Sequence, residues 1–167
     1  GIEGRHADPN VFVQMDTYAV KGLQSGQIQF LYAPTHLNPT YEYGVTFERG
    51  TAVTYGDRKQ IFISGTASID NQGEIMYPGD ILKQTERMLE NIDTLLQEAG
   101  GGLQDIMQAI VYLRDPADYV VVKQYIESRY PSFLHLIVHA PVCRPGWLIE
   151  TECIAVIPAD APQYACL

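Results

Sequence analysis

The stretch DILKQTERMLENIDTLLQEAGGGLQDIMQAIVYL, residues 80–113, contains the change of hydrophobic period that decides the fold. Its first part, 80–99, places apolar residues on one helical face, and Asp80 is a residue type that favours a helix N-cap. The glycines at 100–102 end this predicted helix. The run IMQAIVYL at 106–113 is rich in Ile and Val and predicts a strand with apolar residues on both faces.

Upstream of this stretch, alternating β-branched, aromatic and polar residues at 44–69 predict two antiparallel strands. The sequence Tyr-Gly-Asp-Arg-Lys at 55–59 is typical of the hairpin turn between them, and a second turn is expected at 70–74. Residues 7–43 are irregular, with one candidate strand at 27–33.

Downstream, Asp115-Pro116 combines a capping residue with a proline suited to the first helical turn, and it predicts a second helix closed by Pro131. Strands are then expected at 134–142 and 147–157, joined as a hairpin through a turn at 143–146. The resulting fold is α+β, with two helices on one face of the sheet. Because the sheet is apolar on both faces, we expect a second copy of the chain to cover the other face.

The composition excludes several classes of protein. Eleven Lys and Arg against 20 Asp and Glu give a net charge of −9, which opposes binding to nucleic acid. A membrane span needs about 18 consecutive apolar residues, and the chain has no such run. The three cysteines are odd in number and lack CxxC spacing, which favours a reduced, cytoplasmic protein.

The chain begins with an unusual segment. Ile-Glu-Gly-Arg at 2–5 is a protease site used in fusion vectors, so we interpret residues 1–6 as an expression scar. The remainder does not begin with Met, and we expect it to be a fragment of a longer protein.

The predicted last hairpin carries ionisable groups in apolar surroundings. One register places His139 opposite Glu150 and another places it opposite Glu152, with Cβ atoms about 5 Å apart in either case. Such a pair would serve as a general acid or base, or equally as a structural ion pair at a subunit contact. His135 and His139 are about 13 Å apart along a strand, too far for one metal ion, so we expect no metal site.

Other candidates carry polar groups near strand ends. Arg49, in the motif FERG, is suited to holding a carboxylate, or is a surface arginine. Arg144 at the hairpin tip has the same two interpretations. The sequence Ser64-Gly65-Thr66 would bind an anion through backbone N–H groups, or would form a β-bulge.

The order of several motifs, ISGTASID, the helix with Gln84 and Asn91, VYLRD and IETECIAVIP, resembles the Rid superfamily of reactive-intermediate deaminases. These YjgF-like proteins are also called L-PSP endoribonucleases. The similarity spans about residues 47–158. It implies a chorismate-mutase-like α+β fold, a homotrimer, ligand sites in clefts between subunits, and no cofactor.

The resemblance also implies roles for particular residues. Glu150 matches the glutamate that positions water, whereas Ser64, Gly65 and Phe47 match positions that line the pocket. His135 stands where deaminase members have an arginine for the substrate carboxylate, a departure that bears on imine or enamine hydrolysis.

The motifs FERG, ISGTASI, YPGD and VCRPGWLIE also resemble the C-terminal half of chorismatase-like proteins. In these a glutamate on this strand is the general acid and arginines bind carboxylates, with Glu150, Arg49 and Arg144 as the counterparts here.

We therefore expect an N-terminal extension at 7–43, a Rid-like domain at 44–158 and a C-terminal tail at 159–167. The expected function is an enzyme that acts on a small carboxylate-bearing metabolite. The alternatives are a non-catalytic trimeric binding or assembly module and, opposed by the charge, an endoribonuclease.

Overall fold

The computed structural model describes residues 2–4 and 6–166. The expected scar at 1–6 and tail at 159–167 lie partly outside the described residues. Within the described part, the helices are α1 (Ile81–Glu98) and α2 (Tyr119–Arg129), and the strands are β1 (Ile28–Leu31), β2 (Gly50–Thr54), β3 (Arg58–Ala67), β4 (Ile106–Leu113), β5 (His135–His139) and β6 (Ile149–Pro158).

Helix α1 and strand β4 confirm the prediction made from the change of period. The Asp80 carboxylate accepts a hydrogen bond from the Lys83 N–H at 3.0 Å, as expected of an N-cap. Gly100, with φ of 89°, takes the left-handed conformation that ends a helix. The apolar face of α1 is buried against the sheet through Met88, Leu89, Ile92, Leu95 and Leu96.

The six strands form one mixed sheet in the order β1-β2-β3-β6-β4-β5. Strands β4 and β5 run parallel, and every other neighbouring pair is antiparallel. The core lies between this sheet and the two helices, and α2 contributes the fully buried Val122 and Ile126. The expected α+β architecture, with two helices on one face of a mixed sheet, is confirmed.

The predicted C-terminal hairpin is wrong. Strand β5 pairs in parallel with β4, while β6 lies between β3 and β4 and does not pair with β5. Parallel neighbours need a long crossover connection, and α2 provides it between β4 and β5. Segment 140–148 then carries the chain past the end of β4 to the middle of the sheet.

The predicted pairing of His139 with Glu150 or Glu152 is therefore wrong in both registers. His139 lies opposite Leu113, on the helix-covered side, whereas Glu150 lies opposite Tyr112 and points to the other face. The alternation along each strand was predicted correctly, but the two strands are separated by β4.

The second face of the sheet carries a shallow apolar depression of about 210 Å³. The half-buried side chains of Phe62, Ile110 and Ile154 line it, and the exposed Glu152 lies at its edge. The homotrimer that was expected to cover this face stays a prediction.

The expected N-terminal extension contributes directly to the sheet. Its strand β1 pairs with β2, within the predicted candidate strand at 27–33. After β1, the backbone N–H groups of Tyr32 and Ala33 both donate to the Glu98 carboxylate at 2.8 Å, which ties the extension to the end of α1. No helix in the described residues is both long enough and apolar enough to cross a membrane.

Candidate active site

A cavity of about 460 Å³ lies at the end of β6, beside the irregular part of β3. It brings together five of the predicted site residues. These are Phe47, Arg49, Ser64, Gly65 and Glu150. The other lining residues are Val45, Ala67, Ile69, Cys143, Trp147 and Glu152. The cavity thus combines apolar walls with two carboxylates and one cationic side chain among the described lining residues.

Glu150 is the buried carboxylate of this cavity, with only 7% of its surface exposed. It lies between Ala67 of β3 and Tyr112 of β4, and its Oε2 atom has no hydrogen-bond partner among the described residues. Burial, with a smaller contribution from the neighbouring Glu152 carboxylate, raises the pKa of Glu150 above its ordinary value. A carboxyl group with a raised pKa keeps its proton to a higher pH than an exposed one, which suits it to proton transfer.

A β-bulge in β3 shapes the floor of the cavity beneath Glu150. Ile63 lies opposite Cys153 and Thr66 opposite Thr151, so Ser64 and Gly65 face a single residue of β6. Of the two interpretations of this sequence, the bulge is therefore confirmed.

Gly65 lies directly against the Glu150 carboxylate. A Cβ atom at position 65 would collide with Oε1 of Glu150 and would lie 3.1 Å from its Cδ. The absence of a side chain at 65 therefore allows the carboxylate to rest on the backbone of the bulge.

Ser64 ties the bulge to the segment before β2. Its Oγ donates to the Glu48 carbonyl at 2.6 Å, and its N–H donates to the Arg49 carbonyl at 3.1 Å. These bonds fix the backbone of Arg49 beside the β-bulge that lies beneath Glu150. Thr66 is buried on the helix-covered side, donates to the Ser64 carbonyl at 2.9 Å and does not line the cavity.

Arg49 is buried, with 5% of its surface exposed, so its interpretation as a surface arginine is wrong. Its Nε donates to the Asn38 carbonyl at 3.3 Å, and its Nη2 donates to that carbonyl and to the Asn38 Oδ1, each at 2.9 Å. The guanidinium also lies 5.4 Å from the centre of the Phe47 ring, within the range of a cation–π contact. Arg49 thus holds a fixed position in the cavity wall.

Besides Thr66, three predicted site residues do not line this cavity within one chain. His135 is half-buried on β5, with Nδ1 2.8 Å from the Phe133 carbonyl. His139 is exposed on the same strand. Arg144 is exposed, its guanidinium lies 5.4 Å from the Trp147 ring centre, and it lines a neighbouring cavity of about 320 Å³.

Two buried amides of α1 hold backbone segments that carry lining residues of the cavity. Gln84 donates to the Gly146 carbonyl at 3.1 Å and accepts from the Leu148 N–H at 3.0 Å. Asn91 donates to the carbonyls of Ala67 and Ile69, each at 3.0 Å. Their sequence signal was a polar residue on the buried face of the predicted helix.

Other residues of the site had no such signal. Asn38 lies in an irregular loop, and nothing in the sequence links it to Arg49. Trp147 and Cys143 line the cavity because segment 140–148 crosses the end of β4, which the predicted hairpin did not include. Among the described residues, no group of three His, Cys, Asp or Glu side chains is placed to hold a metal ion.

Comparisons with known proteins identify relatives of this chain. The sequence model of the Endoribonuclease L-PSP family matches residues 50–157. The chain is 31% identical over 97 residues to the 3-aminoacrylate deaminase RutC of Acinetobacter baylyi, which covers 57% of this chain and 77% of that protein. It is 35% identical over 97 residues to a RutC family protein of Pyrococcus abyssi, covering 57% and 76% of the two chains.

Solved structures with a similar fold are also known. The crystal structure of Escherichia coli TdcF with bound serine superposes with a TM-score of 0.63 at 21% identity, covering 77% of this chain and 98% of that one. At this identity the similarity concerns the fold alone.

Proposed function

The chain belongs to the Endoribonuclease L-PSP family, also known as the Rid family, and from this premise we propose that it hydrolyses a small enamine or imine that carries a carboxylate. The observation that supports this most is the buried Glu150 carboxyl group, with an unpartnered oxygen, in the same cavity as Arg49. One group is suited to proton transfer and the other to binding an anion.

The proposed reaction uses the two protonation states of Glu150. In the protonated state it donates a proton to the terminal carbon of a 2-aminoacrylate-type enamine, which gives the iminium ion. As the carboxylate it then accepts a proton from water, whose oxygen attacks the iminium carbon to give a carbinolamine. When the carbinolamine collapses, its hydroxyl proton passes to the amine, the C–N bond breaks, and ammonia and the 2-keto acid are released, so one water is consumed for each substrate.

Arg49 would hold the substrate carboxylate during this reaction. A buried guanidinium in a cavity wall binds a carboxylate through charge-assisted hydrogen bonds. The relatives support a substrate of this size, since one is a 3-aminoacrylate deaminase and a structural neighbour has serine bound. Roles for His135, His139 and Arg144 would need a second chain or a different substrate pose, because none of them lines this cavity.

Chorismate-type enolpyruvyl chemistry is a second candidate. The observation that favours it is a further cavity of about 310 Å³ that shares Arg49 as a wall, next to the 460 Å³ cavity. Together the two cavities offer room for a larger dicarboxylate, with parts of the ligand on both sides of the Arg49 guanidinium. Cleavage of RNA is disfavoured by the net charge of −9 and by the two carboxylates in the cavity.

The test compares wild type, Glu150→Gln and Glu152→Gln. The protein is added to a serine dehydratase reaction that releases 2-aminoacrylate, and separately to chorismate, and ammonia and pyruvate are followed. We expect acceleration of ammonia release that is lost in Glu150→Gln and retained in Glu152→Gln. Acceleration with chorismate alone would favour the second candidate. No acceleration with either substrate would leave a non-catalytic binding module.

We also propose that three chains associate through the second face of the sheet. The apolar side chains of Phe62, Ile110 and Ile154 on this face support association. Sedimentation equilibrium should give three times the mass of the chain, and Ile110→Lys should shift it toward the monomer. A wild-type monomer at micromolar concentration would refute this proposal.

A further inference from the structure

We propose that Asn38 is the positioning residue for Arg49, and that this pair makes the cavity selective for ligands that carry a carboxylate. The inference rests on the proposed function for the identity of the ligand, and it adds the residue that determines how the ligand is selected. Asn38 belongs to the loop between β1 and β2.

The hydrogen bonds between the two residues fix the plane of the guanidinium. Asn38 accepts from Arg49 with both its carbonyl and its Oδ1, so the Nε–Nη2 side of the guanidinium faces Asn38. Both residues are almost fully buried, with 3% of Asn38 and 5% of Arg49 exposed. Preorganised donors of this kind bind an anion with little loss of conformational entropy.

Asn38 is itself held from two sides. The Leu37 N–H donates to the Ala33 carbonyl at 2.8 Å, which closes the preceding turn and buries Leu37. On the other side lies Gly73, with φ of 80°, in the turn after β3. A Cβ atom at position 73 would lie 2.8 Å from Nδ2 and 3.0 Å from Cγ of Asn38, so only glycine leaves room for this amide.

The chemistry of an amide suits this task better than that of a carboxylate. An asparagine orients the guanidinium through hydrogen bonds and brings no charge of its own to Arg49. An aspartate at position 38 would keep an acceptor of the same shape but would form an ion pair with Arg49. The substitution Asn38→Asp therefore adds a charge beside Arg49 and keeps the acceptor, while it also removes the Nδ2 donor to the Glu42 carboxylate at 3.4 Å.

The pair lies outside the part of the chain that the family model matches. Asn38 and Arg49 both precede residue 50, where the match to the family model begins. Glu150, in contrast, lies inside the match. The proton-transfer group is thus part of the matched region, and the proposed selection of ligand comes from the segment before it.

The experiment measures binding of pyruvate and of its neutral amide, pyruvamide, by isothermal titration calorimetry. The proteins are wild type, Asn38→Asp, Asn38→Ala and the control Asn10→Asp, which makes the same change at an exposed position. We expect wild type and the control to prefer pyruvate. Asn38→Asp should lose about 10-fold in pyruvate affinity, with little change for pyruvamide. Asn38→Ala should lose several-fold, because the backbone carbonyl still accepts from Arg49.

Turnover of the dehydratase-generated enamine provides a separate readout. In Asn38→Asp we expect KM to rise by about 10-fold while kcat changes less, since losing the contact between Arg49 and the ligand carboxylate weakens binding in the ground and transition states alike. If wild type prefers pyruvate and Asn38→Asp removes that preference, the inference holds even when no protein turns over the enamine. That result would overturn only the proposed hydrolysis.

Three results would overturn the inference. One is a wild-type protein that binds pyruvate no better than pyruvamide, or binds neither. Another is an Asn38→Asp protein that is folded and keeps the wild-type preference. Should Asn38→Asp fail to fold, Gly73→Ala tests the same contact from the opposite side by displacing the amide. An unchanged preference in that folded variant would count against the inference equally.

Discussion

Replacing Gly65 by alanine should uncouple activity from folding in this protein. Gly65 does not have a positive φ, so alanine can take its backbone conformation without strain. The added Cβ atom would nevertheless collide with Oε1 of Glu150 and lie 3.1 Å from Cδ. Because the carboxylate ends a flexible side chain, it can rotate away, and this rotation changes its position relative to the ligand.

The expected magnitudes follow from these contacts. Extra volume in a packed site costs about 1–3 kcal/mol, and the lower entropy of an unfolded chain with alanine returns about 0.4–1 kcal/mol. The free energy of unfolding should therefore fall by about 0.5–2 kcal/mol. A reacting group misplaced by about 1 Å costs on the order of 100-fold in rate, which corresponds to about 2.7 kcal/mol of activation free energy.

Two measurements check this prediction. Urea unfolding gives the change in stability, and ammonia release from the enamine gives the change in kcat/KM. The control is Gly101→Ala, where an added Cβ would lie 3.3 Å from Asp105 Oδ2 and from Ile157 Cγ2, outside the cavity lining. It should lose a similar amount of stability and keep its activity. Wild-type activity in a folded Gly65→Ala protein would refute the idea that the carboxylate resting on residue 65 is the reacting group.

Three further predictions concern stability. The pKa of Glu150 in the folded protein is raised above 4.5, so the wild type should lose stability relative to Glu150→Gln as pH rises from about 4.5 through that folded-state pKa. Urea unfolding at several pH values measures this, and a difference in unfolding free energy between the two proteins that does not change with pH would contradict it. Arg114 donates to three carbonyls of segment 140–148 at 2.6–2.8 Å, so Arg114→Lys should cost about 2 kcal/mol and increase proteolysis within that segment. Glu98→Gln should cost about 1–2 kcal/mol and speed hydrogen exchange at the two N–H groups after β1, whereas unchanged exchange would show that this carboxylate does not hold them.

Local features of the fold could be predicted because their signals are contained in short windows. The helical period ending at Gly100 and the Asp80 cap locate α1, and the apolar run after them locates β4. The faces of the last two strands also followed from alternation. His135 and His139 share one face, and Glu150 and Glu152 share another.

The pairing of strands could not be predicted in the same way. A short turn rich in proline and glycine at 143–146 favours a hairpin, and nothing local shows that β4 lies between the two strands. Strand β5 is connected to its parallel partner β4 through α2. A strand-helix-strand unit of this kind takes about 30 residues, which is longer than a local sequence pattern. The predicted contact of His139 with Glu150 failed because β4 lies between the two strands and because the two side chains lie on opposite faces of the sheet.

The candidate site was predictable in part. Glu150, Ser64 and Gly65 were found through the resemblance to a family, and their meeting in one cavity depends on the pairing of β3 with β6. The burial of Arg49 could not be predicted, since its partner Asn38 comes from an irregular loop. A polar side chain that satisfies a distant arginine has no periodicity of its own.

The central place of β6 has a consequence for how the protein is made. The last strand of the chain fills the gap between β3 and β4, so during synthesis on the ribosome these two edges stay open until residue 158 has emerged. Exposed strand edges pair readily with other chains, and nascent chains that stall before β6 should aggregate. Because Glu150 lies on that same strand, a chain truncated before β6 would lack the candidate catalytic residue as well as the complete sheet.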